Sequence, residues 1–182
     1  MAVTQRRGRR IMMTPDELDA FLTAERTCRV ATVAPDGAPH VSTLWFAWDG
    51  TSMWLYSITR SKRWADLRKD PRIAVVVDAG EQLGELRGVE LSGPVTFVGE
   101  VPRTGEPCPE LDAPERLFAR KNFGLDEMPH DGRHAWARLT PDAVASWDFR
   151  KLAGFGPREA DTDPREADAG PRKADAGPQE TG

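Results

Sequence analysis

The chain has 182 residues, of which 39% are hydrophobic and 30% charged, and its formal net charge at pH 7 is −4. This length is typical of one domain with appendages, and the negative charge argues against nucleic acid as the main partner. No run of 18 apolar residues is present, so no membrane span is expected. Cys28 and Cys108 form neither a CxxC pair nor a zinc spacing, which argues against a disulfide framework and favours the cytoplasm.

The two ends of the chain differ in composition from its middle. Residues 1–10 contain four arginines and no acid, and they lack the apolar segment of a secretory signal, so we expect a disordered basic arm. Residues 155–182 carry a seven-residue repeat from Pro157 that lacks large apolar side chains. Such a repeat cannot bury enough surface to fold, and we expect a disordered tail. The folded domain is therefore predicted to span residues 11–154.

The first half of the chain predicts two helices with three strands between them. Thr14-Pro15-Asp16-Glu17 is a capping box that starts a helix running to about Glu25. Ser61 can cap a short second helix. The three strands and the second helix are predicted at residues 28–33, 40–48, 53–58 and 62–69. Short turn sequences separate the strands, which indicates an antiparallel meander.

The second half predicts four strands and one helix, at residues 73–77, 85–101, 111–123, 134–139 and 144–149. The apolar run from Ile73 to Val77 is expected to be buried on both faces. Gly93-Pro94 is expected to form a bulge in the long strand, and the helix to turn Leu117 and Phe118 inward. The predicted fold class is mainly β (α+β), a small antiparallel β-barrel with short covering helices.

The strongest local signal is the segment Tyr56-Ser57-Ile58-Thr59-Arg60-Ser61-Lys62-Arg63, which gathers three cations and four hydroxyls where a strand ends and a helix begins. The first amides of a helix are unpaired, and the helix dipole is positive there. Two cations in that first turn favour a phosphate site. The alternative is a solvated basic helix start in which Ser61 is only a cap, and the local residues leave both interpretations open.

The order of elements around this segment resembles the pyridoxamine 5'-phosphate oxidase-like FMN-binding split barrels. The resemblance rests on the SerLysArg helix, the following AspProArg, the apolar strand and ArgGlyValGluLeuSerGlyProVal, and it covers about residues 15–150. It implies a split antiparallel β-barrel that forms a homodimer with two cofactor sites at the subunit interface. It also implies that Lys62 and Arg63 hold the cofactor phosphate, that Tyr56 and Ser57 lie beside it, and that Trp147 contacts the flavin.

Other features of that family are altered in this sequence. The stretch from His40 to Phe46 lacks the family's Arg and Lys, and Gly88 follows Arg87 where the family has Gln. The C-terminal Arg/His motif that binds pyridoxal phosphate is missing. The features of the family pattern that this sequence keeps resemble those of the split-barrel reductases, many of which use the deazaflavin coenzyme F420. That resemblance implies hydride transfer from coenzyme F420 or FMN to a small unsaturated or aromatic substrate.

The predicted cofactor-binding residues are His40, Ser42, Thr43, Leu44, Tyr56, Ser57, Arg60, Ser61, Lys62, Arg63 and Trp147. Amides and hydroxyls from His40 to Leu44 are expected to face the cofactor ring. Trp45, Trp48 and Trp147 are expected to form an apolar wall around a flat substrate. Arg68 can extend the cationic groove that a deazaflavin with its polyglutamate requires. No catalytic residue is assigned, since no base is evident in the sequence.

Three alternatives stay open. The first is an FMN-dependent enzyme like pyridoxamine-phosphate oxidase. The second is a non-catalytic module that binds flavin or haem, with His40, His130 or His134 as the axial ligand. The third is a binder of nucleic acid or an acidic partner through the arginine arm. His130, Asp131 and His134 also have the residue types of a metal site, but their segment is loop-like, and no metal is expected.

Overall fold

The structure is a computed structural model that describes residues 2–3 and 8–152. Its strands are β1 (Ala2–Val3), β2 (Thr27–Val33), β3 (Pro39–Trp48), β4 (Met53–Ile58), β5 (Arg72–Ala79), β6 (Arg87–Val98), β7 (His134–Leu139) and β8 (Ala143–Asp148). Its α-helices are α1 (Pro15–Ala24), α2 (Lys62–Leu67) and α3 (Pro109–Phe123). Short 3₁₀ turns cover Arg9–Ile11 and Phe149–Lys151.

Six antiparallel strands close into a barrel in the order β6, β5, β2, β3, β4, β7, because β7 pairs back onto β6. Residues 87–92 of β6 pair with the outer strand β8, and residues 95–98 pair with β7. Gly93-Pro94 marks the change of partner, while the ladder between β6 and β5 runs through it without interruption. The expected bulge is therefore absent from that ladder, and the mainly β, split-barrel fold class is confirmed.

Alternating side chains of the strands fill the barrel, and side chains of α1 and α2 pack against this core. Thr14 and Glu17 form the predicted capping box, with a distance of 2.7 Å from the Thr14 backbone N–H to the Glu17 carboxylate. The barrel core includes Phe21, Leu22, Val30, Phe46, Met53, Leu55, Trp64, Val75 and Leu91. A second apolar cluster lies under α3 and includes Trp54, Tyr56, Leu111, Phe118 and Trp136.

Two burial predictions are wrong. Strand β5 is buried on one face only, since Ile73 and Val75 are buried while Ala74 and Val76 are half-buried. A strand of a closed barrel turns alternate side chains away from the interior. Leu117 is exposed while its neighbour Phe118 is buried, because successive residues of a helix point in directions about 100° apart.

The basic arm and the tail are described only in part. Ala2 and Val3 pair in parallel with Ala143 and Val144, and the arm ends in the turn at Arg9–Ile11. The rest of the predicted arm and the whole predicted tail, residues 155–182, lie outside the described residues. Within the described part of the chain, no helix combines the length and the apolar character needed to cross a membrane.

Gly88 provides a test of the packing between β6 and β8. It lies opposite Trp147, and a Cβ placed on it would overlap that indole and come within 2.8 Å of the Val77 carbonyl oxygen. Gly88→Ala is therefore expected to lower the free energy of unfolding by about 1–3 kcal/mol in urea denaturation. Gly8→Ala is the matched control, since no atom lies within 4 Å of its Cβ position. Equal effects of the two substitutions would contradict this account.

Candidate functional site

Strands β3 and β4 separate at one end of the barrel. They pair with each other only through Phe46–Leu55, Ala47–Trp54 and Trp48–Met53. Beyond these pairs, residues 39–45 of β3 stay on β2, and residues 56–58 of β4 stay on β7. The two strands leave an opening between them, which we call the β3–β4 gap. Most of the sequence-predicted site residues lie on its two sides.

Arg63 bridges the β3–β4 gap. The Ser61 hydroxyl caps α2 by accepting a hydrogen bond from the Trp64 backbone N–H at 3.2 Å, which places Arg63 in the first turn. The guanidinium donates to the Ser42 hydroxyl on β3. It also donates to the Ser57 hydroxyl on β4, over 3.1 Å from Nη2 and 3.3 Å from Nε. Arg63 is only 6% exposed, so its charge is held inside the protein.

The charge of Arg63 has no carboxylate partner among the residues that the structure describes. Its hydrogen bonds go to two neutral hydroxyls. Burial lowers the pKa of its guanidinium, which shows that the environment disfavours the charged form. A buried cation without an opposite charge is costly. The arrangement therefore fits an anionic group such as a phosphate, which would accept hydrogen bonds from the guanidinium.

Lys62 belongs to a separate cluster on the outer side of α2. Its ammonium lies 3.0 and 3.2 Å from the two carboxylate oxygens of Asp66, and its side chain is 52% exposed. Asp66 also accepts a hydrogen bond from Thr32 Oγ1 at 2.9 Å, and His40 Nδ1 lies 3.7 Å from the same carboxylate. The two adjacent cations therefore differ, since Asp66 neutralises Lys62 while Arg63 is left with neutral partners.

A cavity of about 530 Å³ opens beside the gap, between β3, β4 and α3. Three of the predicted residues, Thr43, Leu44 and Tyr56, line it. Its other walls come from Thr27, Trp45, Phe118, Phe123, Pro129, Asp131 and His134. The volume and the largely aromatic lining are those of a small-molecule site. A flat ring fits such a lining, because it can stack on the aromatic side chains.

One wall of the cavity carries titratable groups. Nδ1 of His134, the first residue of β7, lies 2.7 Å from Oδ2 of Asp131. The imidazole stacks on the Tyr56 ring with 4.7 Å between centroids and 17° between planes. Burial raises the pKa of Tyr56 to about 12, and the charges of Asp131 and Glu115 add to this shift. The sequence shows Asp131 and His134 close together at a strand start, but it does not show that they meet Tyr56.

The other predicted residues lie apart from this cavity. Arg60 is exposed in the turn before α2, and Arg68 is exposed at its end. Trp147 is buried on β8, where its indole covers Gly88. Of the three tryptophans expected to form a wall, Trp45 alone lines the cavity. Trp45 and Trp48 lie on opposite faces of β3 and β8 is not next to β3, so the three do not meet within one chain.

The histidines that suggested a metal site have separate carboxylate partners. His130 Nε2 lies 3.1 Å from Glu115 Oε1, whereas His134 contacts Asp131. Within residues 8–152, no group of three or more His, Cys, Asp or Glu side chains is placed to hold a metal ion. Cys28 is buried and Cys108 is half-buried, and both are free thiols.

Comparisons with known proteins agree with this architecture. The sequence pattern described as pyridoxamine 5'-phosphate oxidase matches residues 14–148. A solved structure of a conserved hypothetical protein from Mycobacterium tuberculosis is 29% identical, with a TM-score of 0.66 over 82% of this chain and 92% of that one. A structure described as an F420 reductase is 26% identical, with a TM-score of 0.54 over 72% of this chain and 98% of that one.

The fold is shared beyond these two structures. A heme storage protein from Vibrio cholerae is 19% identical, with a TM-score of 0.54 over 71% of this chain and 91% of that one. No curated protein matches the chain. The matched span of residues 14–148 contains every strand of the closed barrel, the β3–β4 gap and the residues that line the cavity. The chain therefore belongs to the pyridoxamine 5'-phosphate oxidase family of split barrels.

Proposed function

We propose that this protein is an oxidoreductase that uses coenzyme F420 or FMN and transfers a hydride to a small unsaturated or aromatic substrate. The observation that carries the proposal is the buried guanidinium of Arg63, which spans the β3–β4 gap with only neutral partners in the described part of the chain. Both cofactors carry a phosphate that would supply the opposite charge. The 26% identity to a structure described as an F420 reductase supports the same class of cofactor.

The positions of neighbouring residues support a phosphate subsite and a ring subsite side by side. On β4, Ser57 contacts Arg63 while Tyr56 lines the cavity. On β3, Ser42 contacts Arg63 while its neighbour Thr43 lines the cavity. Successive residues of a strand point to opposite faces. The same two strands would therefore hold the phosphate on one side and the ring on the other.

Each part of the site would have a distinct task. The bound cofactor would supply the hydride. Arg63, with Ser42 and Ser57 to orient it, would hold the phosphate. Trp45, Phe118 and Phe123 would exclude water from the cavity. The exposed cations Arg60, Lys62 and Arg68 lie outside the gap, where they could attract the polyglutamate of a deazaflavin, a group that FMN lacks.

We also propose that the protein is a homodimer whose subunits meet over the open side of the cavity. On β3, Val41 is 63% exposed and Trp45 is 43% exposed, and Phe123 of α3 is exposed beside Trp45, with 5.8 Å between the two ring centroids. Apolar and aromatic surface beside a ligand cavity is typical of a protein interface. A second copy would bury this surface and shield the cavity from water.

The two cations should contribute unequally to cofactor binding. Arg63→Ala is expected to weaken binding of FMN or coenzyme F420 by about 10²-fold or more, because a charge-assisted phosphate contact is lost in a buried site. Lys62→Ala is expected to weaken it by less than about tenfold, because Lys62 is half-exposed and paired with Asp66. Isothermal titration calorimetry with both cofactors measures this. Equal losses, or a purified protein with a Soret band and no affinity for either cofactor, would contradict the proposal.

Arg63 should also reveal its role through the stability of the cofactor-free protein. Arg63→Met removes a buried charge that has no carboxylate partner, so the apoprotein is expected to keep or raise its melting temperature while it loses cofactor affinity. Arg103→Met is the matched control, since Arg103 is equally buried but pairs with Glu115 at 2.8 Å. Its loss removes the guanidinium partner of the buried Glu115 carboxylate, which keeps only Trp136 and His130, and should cost about 3–5 kcal/mol. A large destabilisation by Arg63→Met would show that Arg63 is structural.

The dimer can be tested at Val41. Val41→Asp places a charge in the proposed interface, so sedimentation velocity is expected to show the mass of one chain where the wild type shows twice that mass. Cofactor affinity should fall with it, because the cavity loses its cover. Leu83→Asp is the control, since Leu83 is also exposed but lies in the turn between β5 and β6. A wild-type protein that sediments as a single chain would refute the dimer.

A further inference from the structure

The titratable wall of the cavity has no task in the function proposed above. We propose that His134, positioned by Asp131, is the proton donor of this site and acts on the oxygen of a flat conjugated carbonyl substrate. The chemistry of this step rests on the proposed hydride transfer. The recognition of the carbonyl by His134 does not, and it can be tested without any cofactor.

The loop before β7 fixes the His134 ring in one orientation. Oδ1 of Asp131 accepts hydrogen bonds from the backbone N–H groups of Arg133, at 2.9 Å, and His134, at 3.1 Å. Its other oxygen lies 2.7 Å from His134 Nδ1. Although partial burial raises the pKa of Asp131, these hydrogen bonds lower it overall, so the carboxylate stays charged. The stacked ring of Tyr56 holds the opposite side of the imidazole.

In this geometry, one ring nitrogen of His134 is hydrogen-bonded to Asp131, and the other can donate to a ligand. Nδ1 is taken by Asp131, and Nε2 makes no hydrogen bond within the described part of the chain. With Nδ1–H donated to a carboxylate, Nε2 carries a proton only when the ring is an imidazolium. The ring lines the cavity together with Thr43, Leu44 and Trp45 from the facing strand, none of which ionises.

His130, in the same segment as His134, has a structural role and not a position in the cavity. It is not part of the cavity lining, and its Nε2 lies 3.1 Å from Glu115. Glu115 also accepts hydrogen bonds from Arg103 Nε at 2.8 Å and from Trp136 Nε1 at 2.9 Å. This network ties α3 to β7 away from the cavity. The two histidines therefore form a matched pair for substitution.

The proposed step balances with one hydride and one proton. A hydride from the reduced flavin or deazaflavin forms a C–H bond at the β-carbon of an enone, and the C=C electron pair moves to the carbonyl oxygen. The N–H bond of the His134 imidazolium breaks, and its proton goes to that oxygen. The neutral ring remains bonded to Asp131 and takes a new proton from water. The enol product then tautomerises to the saturated ketone.

Other charged groups face His134 and have to be separated from it in a test. Asp131 comes from its own loop and Tyr56 from β4, while the charges of Glu115 and Arg103 under α3 act on Tyr56. Tyr56 has a hydroxyl of its own in this wall and is the competing donor. Because its pKa lies near 12, its hydroxyl keeps its proton throughout pH 5–9. The Tyr56→Phe variant therefore separates the two donors.

The first experiment uses 4-(dimethylamino)benzylideneacetone, a flat enone dye whose absorption moves to longer wavelength when its carbonyl accepts a hydrogen bond. Bound to the cofactor-free wild type, the dye is expected to show this shift, because the Nε2–H group donates a hydrogen bond to its carbonyl oxygen. His134→Phe keeps a ring to stack on Tyr56 but should abolish the shift and weaken binding about 5–10-fold, the loss of one hydrogen bond.

Three further variants separate the possible donors. His130→Gln and Tyr56→Phe should keep the shift, and Asp131→Asn should reduce it, since the imidazole loses the charged partner that positions it. Failure of the wild type to bind the dye would overturn the proposal. So would a shift that survives in His134→Phe or disappears in Tyr56→Phe. Circular dichroism of each variant checks that the barrel is folded.

The second experiment follows reduction of the same enone by the cofactor-loaded enzyme in a single turnover. His134→Phe should bind the cofactor within about threefold of wild type but reduce the enone about 10²–10⁴-fold more slowly, the usual contribution of a general acid. An unchanged rate would overturn the role in proton transfer. If the wild type binds neither cofactor while the dye shift still depends on His134, the proposed hydride transfer fails and the carbonyl site stands.

Discussion

The burial of the Arg63 guanidinium between two strands that no longer pair is the constraint on which this site depends. The β3–β4 ladder stops after Phe46 and Leu55. Beyond it, Arg63 joins the hydroxyls of Ser42 and Ser57 across the gap. The protein thus holds a charge in place before any ligand arrives, at a cost in desolvation. A group that binds there with an opposite charge would stabilise the folded state by mass action.

The alternation of strand residues divides the site into two parts that share a backbone. Tyr56 and Ser57 are neighbours on β4, yet Tyr56 stacks on His134 while Ser57 accepts from Arg63. Any shift of β4 along its ladder with β7 would move both subsites together. That ladder is continuous from Met53 to Ile58, so the distance between an anion at Arg63 and a ring in the cavity would be set by the barrel itself and not by a loop.

The sequence predicts the elements well because their signals are local: the capping box at Thr14, the hairpin turns and the Ser61 cap depend only on near neighbours. It does not separate Lys62 from Arg63, since both follow the same cap, and the rotation of α2 against the sheet decides which one is buried. The position of His134 in the cavity is not predicted for a similar reason. Its partner Tyr56 lies on β4, and the β4–β7 ladder brings the two rings together. Burial of β5 was overestimated because an apolar run does not reveal which face meets the barrel interior.

The departures from the family pattern form a consistent set when they are placed in the structure. Where the family has Gln after its Arg, this chain has Gly88, and the indole of Trp147 lies where a side chain at that position would start. A glutamine there would require Trp147 to move, so the two positions are coupled by packing. With Trp147 turned onto β6, contacts to a cofactor ring within one chain would have to come from β3, β4 and α3. Those elements provide Thr43, Leu44, Tyr56 and Phe118, and this aromatic cavity, unlike a glutamine amide, would select a ring by shape and stacking.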